Sequence, residues 1–341
     1  MSGFRPKVLL QTLLLGAAGS VLFTWFGLPA AVMSGSMLAV GLAALWGIQV
    51  EIPDKLRGFS FFFAGAFFGS TVDQETVAAL PNWPVSIAGL ALCLIIMLVV
   101  LPRYFERVHG FDREAAFLSS IPGALSFVVA MAADRGADVR TISMAQTSRL
   151  AVLIVGIPIA MGLSGQVAGP IGAGEKIIEN WGMVVLLAVC LVGWPLANIL
   201  RIPAPLFSGP FFMGGILFGS GLLEGAVPQH YVWPALAILG CSIGARFAGA
   251  ELTSLGRIFL AGFGATMIGM IIAACFAFPV SELLSLPFIQ VLLAFAPGGI
   301  DALTILAFSL GADPAFVAGH QTLRFVGLSL FMPLIARYLD K

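Results

Sequence analysis

Runs of uninterrupted apolar residues recur from one end of this 341-residue chain to the other, and no other feature limits its fold as much. Leu90 to Leu101 is one such run. Only 10% of the residues are charged, 59% are apolar, and mean hydropathy is +1.03. A soluble domain carries about 25% charged residues, so a soluble fold of this length lacks the groups to cover its surface. Continuous apolar runs also exclude an outer-membrane barrel, whose strands alternate polar and apolar side chains. An all-α polytopic membrane protein fits. Lys+Arg and Asp+Glu both total 17, and no basic stripe suits nucleic acid. Cys93, Cys190, Cys241 and Cys275 sit singly inside apolar runs and read as small core residues rather than a disulfide or metal framework. The apolar stretch from Val8 to Phe26 is too long for the h-region of a signal peptide and reads as a retained span.

The chain contains itself twice. Leu28-Pro29-Ala30-Ala31-Val32-Met33-Ser34-Gly35 recurs as Ile202-Pro203-Ala204-Pro205-Leu206-Phe207-Ser208-Gly209, an offset of 174. Gly65 and Gly69 recur as Gly240 and Gly244 at offset 175. The longest match sets Leu118–Val152 against Leu293–Gly327, with ten identities in 35 positions and no gap. Half of them fall on Pro122/Pro297, Gly123/Gly298, Asp138/Asp313, Gln146/Gln321 and Arg149/Arg324, residues that shared apolar composition would not align. The expected organisation is a first repeat over 1–163, a Gly-rich linker over 164–180 and a second repeat over 181–341.

Spans are expected at 8–26, 29–47, 58–74, 83–102 and 140–162, and again at 183–200, 203–221, 232–249, 258–278 and 315–336. Each half also holds a segment, 114–134 or 287–310, interrupted by Pro122-Gly123 or Pro297-Gly298-Gly299. Pro removes a donor and Gly forms helix poorly, so neither segment is one unbroken helix. If these segments dip in and return, there are ten spans and the halves are inverted; if they cross, there are twelve and the halves are parallel. The positive-inside rule favours the first. It places 14 Lys and Arg residues in the cytoplasm and only Lys176 outside, against 10 and 5 for the alternative. The expected fold is therefore two inverted-topology repeats, about ten transmembrane helices and two re-entrant or broken-helix segments. The termini are expected to be cytoplasmic.

Two cations remain. Arg149 lies nine residues past Arg140, ~14 Å along a helix, and Arg324 eleven past Asp313, ~16 Å, in a ~30 Å hydrocarbon core. A central Arg costs at least ~2.5–3.5 kcal/mol, so each needs a compensating partner. Gln146 and Gln321, three residues earlier, share their faces, and His320 joins that of Arg324. One reading is a site for an anion, since guanidinium forks bind carboxylate bidentately and Gln adds donors. The other is that each Arg caps hairpin backbone carbonyls or pairs with a buried acid such as Asp301. The broken segments supply Pro122, Gly123, Ser126, Pro297, Gly298 and Gly299 as candidate substrate contacts, because helix breaks expose backbone donors and acceptors at membrane depth. Asp301, which replaces Ser126 of the first half, and His320 are candidates for coupling to Na⁺ or H⁺; Asp301 is equally a counter-ion for Arg324. Asp138 and Asp313 read as helix N-caps. The paired glycines suit close helix contact, within the chain or across a homodimer seam. No phosphate loop, metal cluster or nucleophile–base motif is present, so no enzyme, metal or cofactor is expected.

Ser120-Ile121-Pro122-Gly123-Ala124-Leu125-Ser126, Arg135-Gly136-Ala137-Asp138-Val139-Arg140, Gln146 to Arg149, and Ala296-Pro297-Gly298-Gly299 with Gly311-Ala312-Asp313-Pro314-Ala315 resemble the duplicated domain of the bacterial membrane AbrB family. Leu28-Pro29-Ala30 with Ser34-Gly35 resembles it too, and the resemblance spans nearly the whole chain. The family is similar in turn to the cation:proton antiporter and anion transporter group, where inverted repeats surround a central site. That implies transport and fixes no substrate. Labels of gene regulator and of ammonia monooxygenase also attach to the family; the second finds no metal site in this sequence. Ala124 departs from the more frequent Pro-Gly-Gly pattern. The expected function is a secondary transporter of a small, carboxylate-like organic anion, ion-coupled and working by alternating access. The alternative is a membrane sensor or regulatory protein that binds a ligand there without transport.

Overall fold

The computed structural model describes residues 5–28, 30–72, 74–123, 128, 131–133, 135–163, 177–200, 202, 204–248 and 252–339. These form helices: α1 (Pro6–Trp25), α2 (Ala31–Leu45), α3 (Asp54–Gly69), α4 (Gln74–Ala79), α5 (Trp83–His109), α6 (Arg113–Ser120), α7 (Val139–Leu163), α8 (Asn180–Ile199), α9 (Pro205–Gly219), α10 (Trp233–Gly244), α11 (Leu252–Leu284), α12 (Phe288–Phe295), α13 (Ile300–Ser309) and α14 (Pro314–Leu339). Ile177 and Ala226 form an isolated β-bridge. Most of the expected linker, 164–180, lies outside the described residues, as does Ser126.

Four helices among the described residues are long and apolar enough to cross a membrane: Pro6–Trp25, Thr76–His109, Asn180–Ile199 and Gly256–Leu284. Ala31–Leu45, Pro205–Gly219 and Trp233–Phe247 are apolar but shorter. Large apolar side chains stand exposed on the long helices, among them Leu14, Ile95, Val184 and Ile271, the surface a helix offers to lipid rather than water. Cys275 is exposed there too, unlike the other three cysteines, which are buried as expected. Helix α5 continues to His109, past its expected end at 102. Pro102 lies inside the helix, and the added turns carry Arg103, Glu106 and Arg107, charges that a count of apolar residues leaves out.

The chain divides into two compact units, each drawing on both halves of the sequence. The first comprises Met1–Ala79, Ile154–Glu251 and Thr304–Ala315. In it α1 packs on α2, α8 on α9, α3 on α9 and α10 on α2. Glycine permits the approach. A Cβ on Gly19 or Gly35 would collide with the carbonyl oxygen of the other, and Gly193 and Gly209 stand in the same relation in the second half. Gly65 abuts the Phe207 carbonyl, and Gly69 that of Phe211, so α3 and α9 run in the same direction. Gly240 abuts the Met33 carbonyl, and Gly244 that of Met37, so α10 and α2 also run together. The paired glycines thus make contacts within the chain. Helices α2 and α9 each begin after an alanine in the left-handed region, Ala30 at φ 55° and Ala204 at φ 48°.

The second unit comprises Leu80–Leu153, Leu252–Leu303 and Phe316–Lys341. Here α5 packs on α6 and α11, and α11 on α12. Helix α6 stops at Ser120 because Ile121 turns extended (φ −62°, ψ 120°) ahead of Pro122, the conformation Pro imposes on the residue before it. Helix α12 stops at Phe295 in the same way, with Ala296 at φ −58°, ψ 142° ahead of Pro297. After the second break the chain resumes helix at Ile300, where the Leu303 N–H donates to the Gly299 carbonyl at 3.0 Å.

Candidate anion site

Both arginines occupy the eleventh position of their helices, Arg149 in α7 and Arg324 in α14, and both are nearly inaccessible, 5% and 4% exposed. Side chains on α7 and α14 at this height reach the ends of α6 and α12, whose last carbonyls have no helical partner. The Arg149 Nη2 donates to the Ile121 carbonyl at 3.1 Å and to Gln146 Oε1 at 2.9 Å. Gln146 Nε2 donates to the Leu118 carbonyl at 2.9 Å. Arg324 Nη1 donates to the Ala296 carbonyl at 2.6 Å, and its Nη2 donates to the Gly298 carbonyl and to Gln321 Oε1. Gln321 Nε2 donates to the Leu293 and Ala294 carbonyls at 3.0 and 3.1 Å. Leu118/Leu293, Ile121/Ala296, Gln146/Gln321 and Arg149/Arg324 are all equivalent positions of the two halves, so one bonding scheme is built twice. Of the readings left open by the sequence, the guanidinium groups do cap hairpin carbonyls.

Capping does not exhaust them. The Nε of Arg149 and the Nε of Arg324 are buried and have no hydrogen-bond partner among the described residues. No ion pair reaches either arginine among those residues; the side chain of Asp301 lies outside the description. The two breaks also meet: a Cβ on Gly123, whose φ is +79°, would stand 3.2 Å from the Gly298 carbonyl oxygen and 3.3 Å from Arg324 Nη2. Pro297 is pressed against Gly269 of α11, and Leu153, one turn beyond Arg149, packs on Gly298. Pro122, Gly123, Pro297, Gly298, Gln146, Gln321, Arg149 and Arg324 are therefore gathered around the breaks.

His320 is drawn elsewhere. Its Nε2 lies 2.7 Å from Ser86 Oγ and its Nδ1 2.8 Å from the Phe316 carbonyl, and Trp83 and Phe316 flank its ring. Sharing a helix face with Arg324 did not bring it to the same partners, because α5 supplies a polar group for it first. Asp138 and Asp313 do cap α7 and α14: Asp138 accepts from the Thr141 N–H and hydroxyl at 3.1 and 2.6 Å, Asp313 from the Ala315 N–H at 2.7 Å. Sequence reasoning missed Ser119, whose buried hydroxyl has no partner among the described residues, and the carbonyls that the arginines and glutamines engage, which carry no side-chain signature. A cavity of about 450 Å³ in the first unit, lined in part by Ser70, Gln74, Glu224 and Gln229, contains none of the predicted residues. Among the described residues no three His, Cys, Asp or Glu side chains are grouped to hold a metal.

A family profile described as "Transition state regulatory protein AbrB" matches residues 32–340. The chain is 27% identical over 335 residues to a protein of Escherichia coli (strain K12) whose name marks it as a candidate AbrB regulator. That match covers 94% of this chain and 93% of the relative. It is 26% identical over 357 residues to a Bacillus subtilis (strain 168) protein named YhjN, covering 95% and 91%.

Proposed function

The chain belongs to the AbrB family, and from that premise we propose that it is an inner-membrane secondary transporter of a small organic anion, coupled to Na⁺ or H⁺. The observation that carries this reading is the pair of buried guanidinium groups, each with an unsatisfied Nε and no carboxylate partner among the described residues. An Arg cannot shed its proton, and a buried unpaired charge costs several kcal/mol. Such a cost at two equivalent positions favours a ligand that supplies the missing charge. The guanidinium and the backbone donors at the breaks hold the carboxylate, and Gln146 and Gln321 keep each guanidinium aimed. Asp301 is the candidate for the coupling ion. His320, with both ring nitrogens occupied, is the weaker candidate.

Inverted halves are part of this reading. Helices α2 and α3 are consecutive and joined by 46–53, so as successive crossings they oppose one another. Helix α3 runs with α9, the counterpart of α2, so α9 opposes α2. That supports ten crossings, two re-entrant segments and termini in the cytoplasm, as does the 14-to-1 distribution of Lys and Arg. Division of the chain into two units that each draw on both halves suits alternating access. The second reading, a sensor that binds the same anion without moving it, is favoured by the regulator name of the Escherichia coli relative. Uptake into proteoliposomes under imposed Na⁺ and pH gradients separates them. Substrate accumulation driven by one gradient is expected; anion-dependent stabilisation with no flux in either gradient would establish the sensor instead.

A further inference from the structure

We propose that the cavity of about 450 Å³ in the first unit is a binding site of its own, one that takes a small organic ammonium ion. The proposal does not depend on the anion reading, whose arginines belong to the other unit.

Three helices end at this cavity, and each lends it a phenylalanine from its last turn: Phe67 of α3, Phe218 of α9 and Phe308 of α13. Helices α3 and α9 run in the same direction, which brings their C-termini together. A helix C-terminus carries about half a negative charge, so three of them favour a cation. The Phe67 and Phe308 rings meet edge to face with centroids 5.1 Å apart. The three phenylalanines are only 5%, 8% and 8% exposed and make an apolar floor. Aromatic rings attract a positive charge, and more so one that carries apolar substituents and sheds water easily.

The polar groups present acceptors. The Ser70 hydroxyl donates to the Phe67 carbonyl at 2.7 Å, and the Thr71 hydroxyl to the Phe68 carbonyl at 2.8 Å. Each has committed its one proton, so lone pairs are what remain for a ligand. Glu224 adds a full negative charge at the exposed mouth. Gly221 at φ +75° and Gly225 at φ +107° turn the chain on either side of it. The Leu223 N–H donates to the Leu217 carbonyl and the Ile178 N–H to the Ala226 carbonyl, both at 3.1 Å, and these bonds fix the loop. Among the described residues no salt bridge reaches Glu224 and no Lys or Arg lines the cavity. Charges outside the description do not reverse this balance. Asp73 and Glu75 flank Gln74 and are both acidic, and Lys176, next to the bridge of Ile177 with Ala226, is itself preceded by Glu175. A bare metal ion would find a single described carboxylate here, whereas an alkylammonium ion uses the carboxylate, the hydroxyl oxygens and the rings together.

The test uses the full-length protein in nanodiscs of phosphatidylglycerol, whose headgroup has no ammonium, and reads thermal stability against ligand concentration. Choline, tetramethylammonium and ethylammonium are compared with 3,3-dimethyl-1-butanol, which has the shape of choline without its charge, and with NaCl at the same ionic strength. At least one ammonium ion is expected to reach half-maximal stabilisation at a concentration about tenfold or more below that of the alcohol, and to exceed NaCl. Glu224→Gln, an exposed and isosteric change, should raise that concentration about threefold or more. Phe308→Leu, which keeps an apolar wall and loses the ring, should weaken the ammonium response more than the response to the alcohol. An alcohol that matches the ammonium ions overturns the proposal, as does NaCl that matches them or no stabilisation by any of the three. An ammonium response unchanged in both variants places the ion elsewhere and overturns it too. Repetition in phosphatidylethanolamine nanodiscs identifies the source: a response lost there assigns the site to a lipid headgroup, and a response kept assigns it to a free ion.

Discussion

Among the described residues, Arg149 bonds one backbone carbonyl at the first break, that of Ile121, whereas at the second Arg324 bonds two, those of Ala296 and Gly298. Gln146 and Gln321 differ in the same sense: Gln321 reaches the Leu293, Ala294 and Ala296 carbonyls, Gln146 those of Leu118 and, at 3.4 Å, Ile121. The side chains are identical and stand at identical spacings, so the difference comes from the backbone they meet. Pro297-Gly298-Gly299 turns a carbonyl back toward the guanidinium on the far side of the break, so Arg324 ties both sides of it. Among the described residues the second break carries more of these bonds than the first.

Truncating the arginines tests this directly and carries the largest effect. Arg324→Ala strands the Gly298 carbonyl and Gln321 Oε1 and leaves the Ala296 carbonyl only its bond from Gln321, and each unpaired buried group costs about 1–3 kcal/mol. Relief of the buried charge offsets part of it, so a net loss of about 2–4 kcal/mol is expected. Arg149→Ala strands only Gln146 Oε1 and leaves the Ile121 carbonyl its 3.4 Å bond from Gln146, one stranded acceptor fewer, and its loss should be smaller by the cost of one such group, about 1–2 kcal/mol. Thermal melts of the two variants in the same nanodiscs check the order. Equal losses, or a larger one for Arg149, would mean that the breaks are equally held.

The two breaks were readable in the sequence because Pro and Gly act locally: they end α6 and α12 wherever those helices are placed. The duplication made Gln146, Arg149, Gln321 and Arg324 readable for a different reason, since polar residues that recur at one fixed offset in an apolar background need a common cause. What those side chains bond was not readable. Ile121 and Ala296 contribute only carbonyls, and a carbonyl has no residue type to recognise; the pairing of each arginine with an acceptor on a distant helix end exists only in the packed structure. His320 failed as a neighbour of Arg324 for a related reason. Helical spacing puts both on one face, but Ser86 and Trp83 of α5, far earlier in the chain, claim the imidazole. The left-handed Ala30 and Ala204 were hidden as well, for alanine gives no sign of a positive φ.

Glycine substitution at the tips should separate them by a smaller amount. Gly123 has φ +79°, a conformation that costs an L residue about 1 kcal/mol or more. An added Cβ there also crowds the Gly298 carbonyl and Arg324. A Cβ on Gly298 would stand closer still, 2.6 and 2.8 Å from Leu303 Cδ1 and Cγ, but against a side chain rather than a carbonyl and without a positive φ. Gly123→Ala should therefore destabilise by about 1–3 kcal/mol through backbone strain, and Gly298→Ala by less, because the Leu303 side chain can turn aside. Paired melts of the two alanine variants read both quantities. A Gly298→Ala loss that exceeds the Gly123→Ala loss would show that overlap with Leu303 outweighs the strain of a positive φ.

The smallest expected effect lies at the heads of the two long helices that carry the arginines. Bonds from the Thr141 hydroxyl and N–H hold the Asp138 carboxyl below its ordinary value. A carboxyl depressed in the folded state contributes stability that is complete above its unfolded pKa, ~3.9, and is lost as pH falls through the folded value. The group is exposed and screened, so the contribution is about 0.5–1 kcal/mol at neutral pH. Asp138→Asn should lower the melting temperature slightly at pH 7 and converge on the parent as the pH drops toward 3. Melts at pH 3, 5 and 7 check the slope. A difference that stays constant across that range would mean that Asp138 caps α7 through geometry alone, with no contribution from its charge.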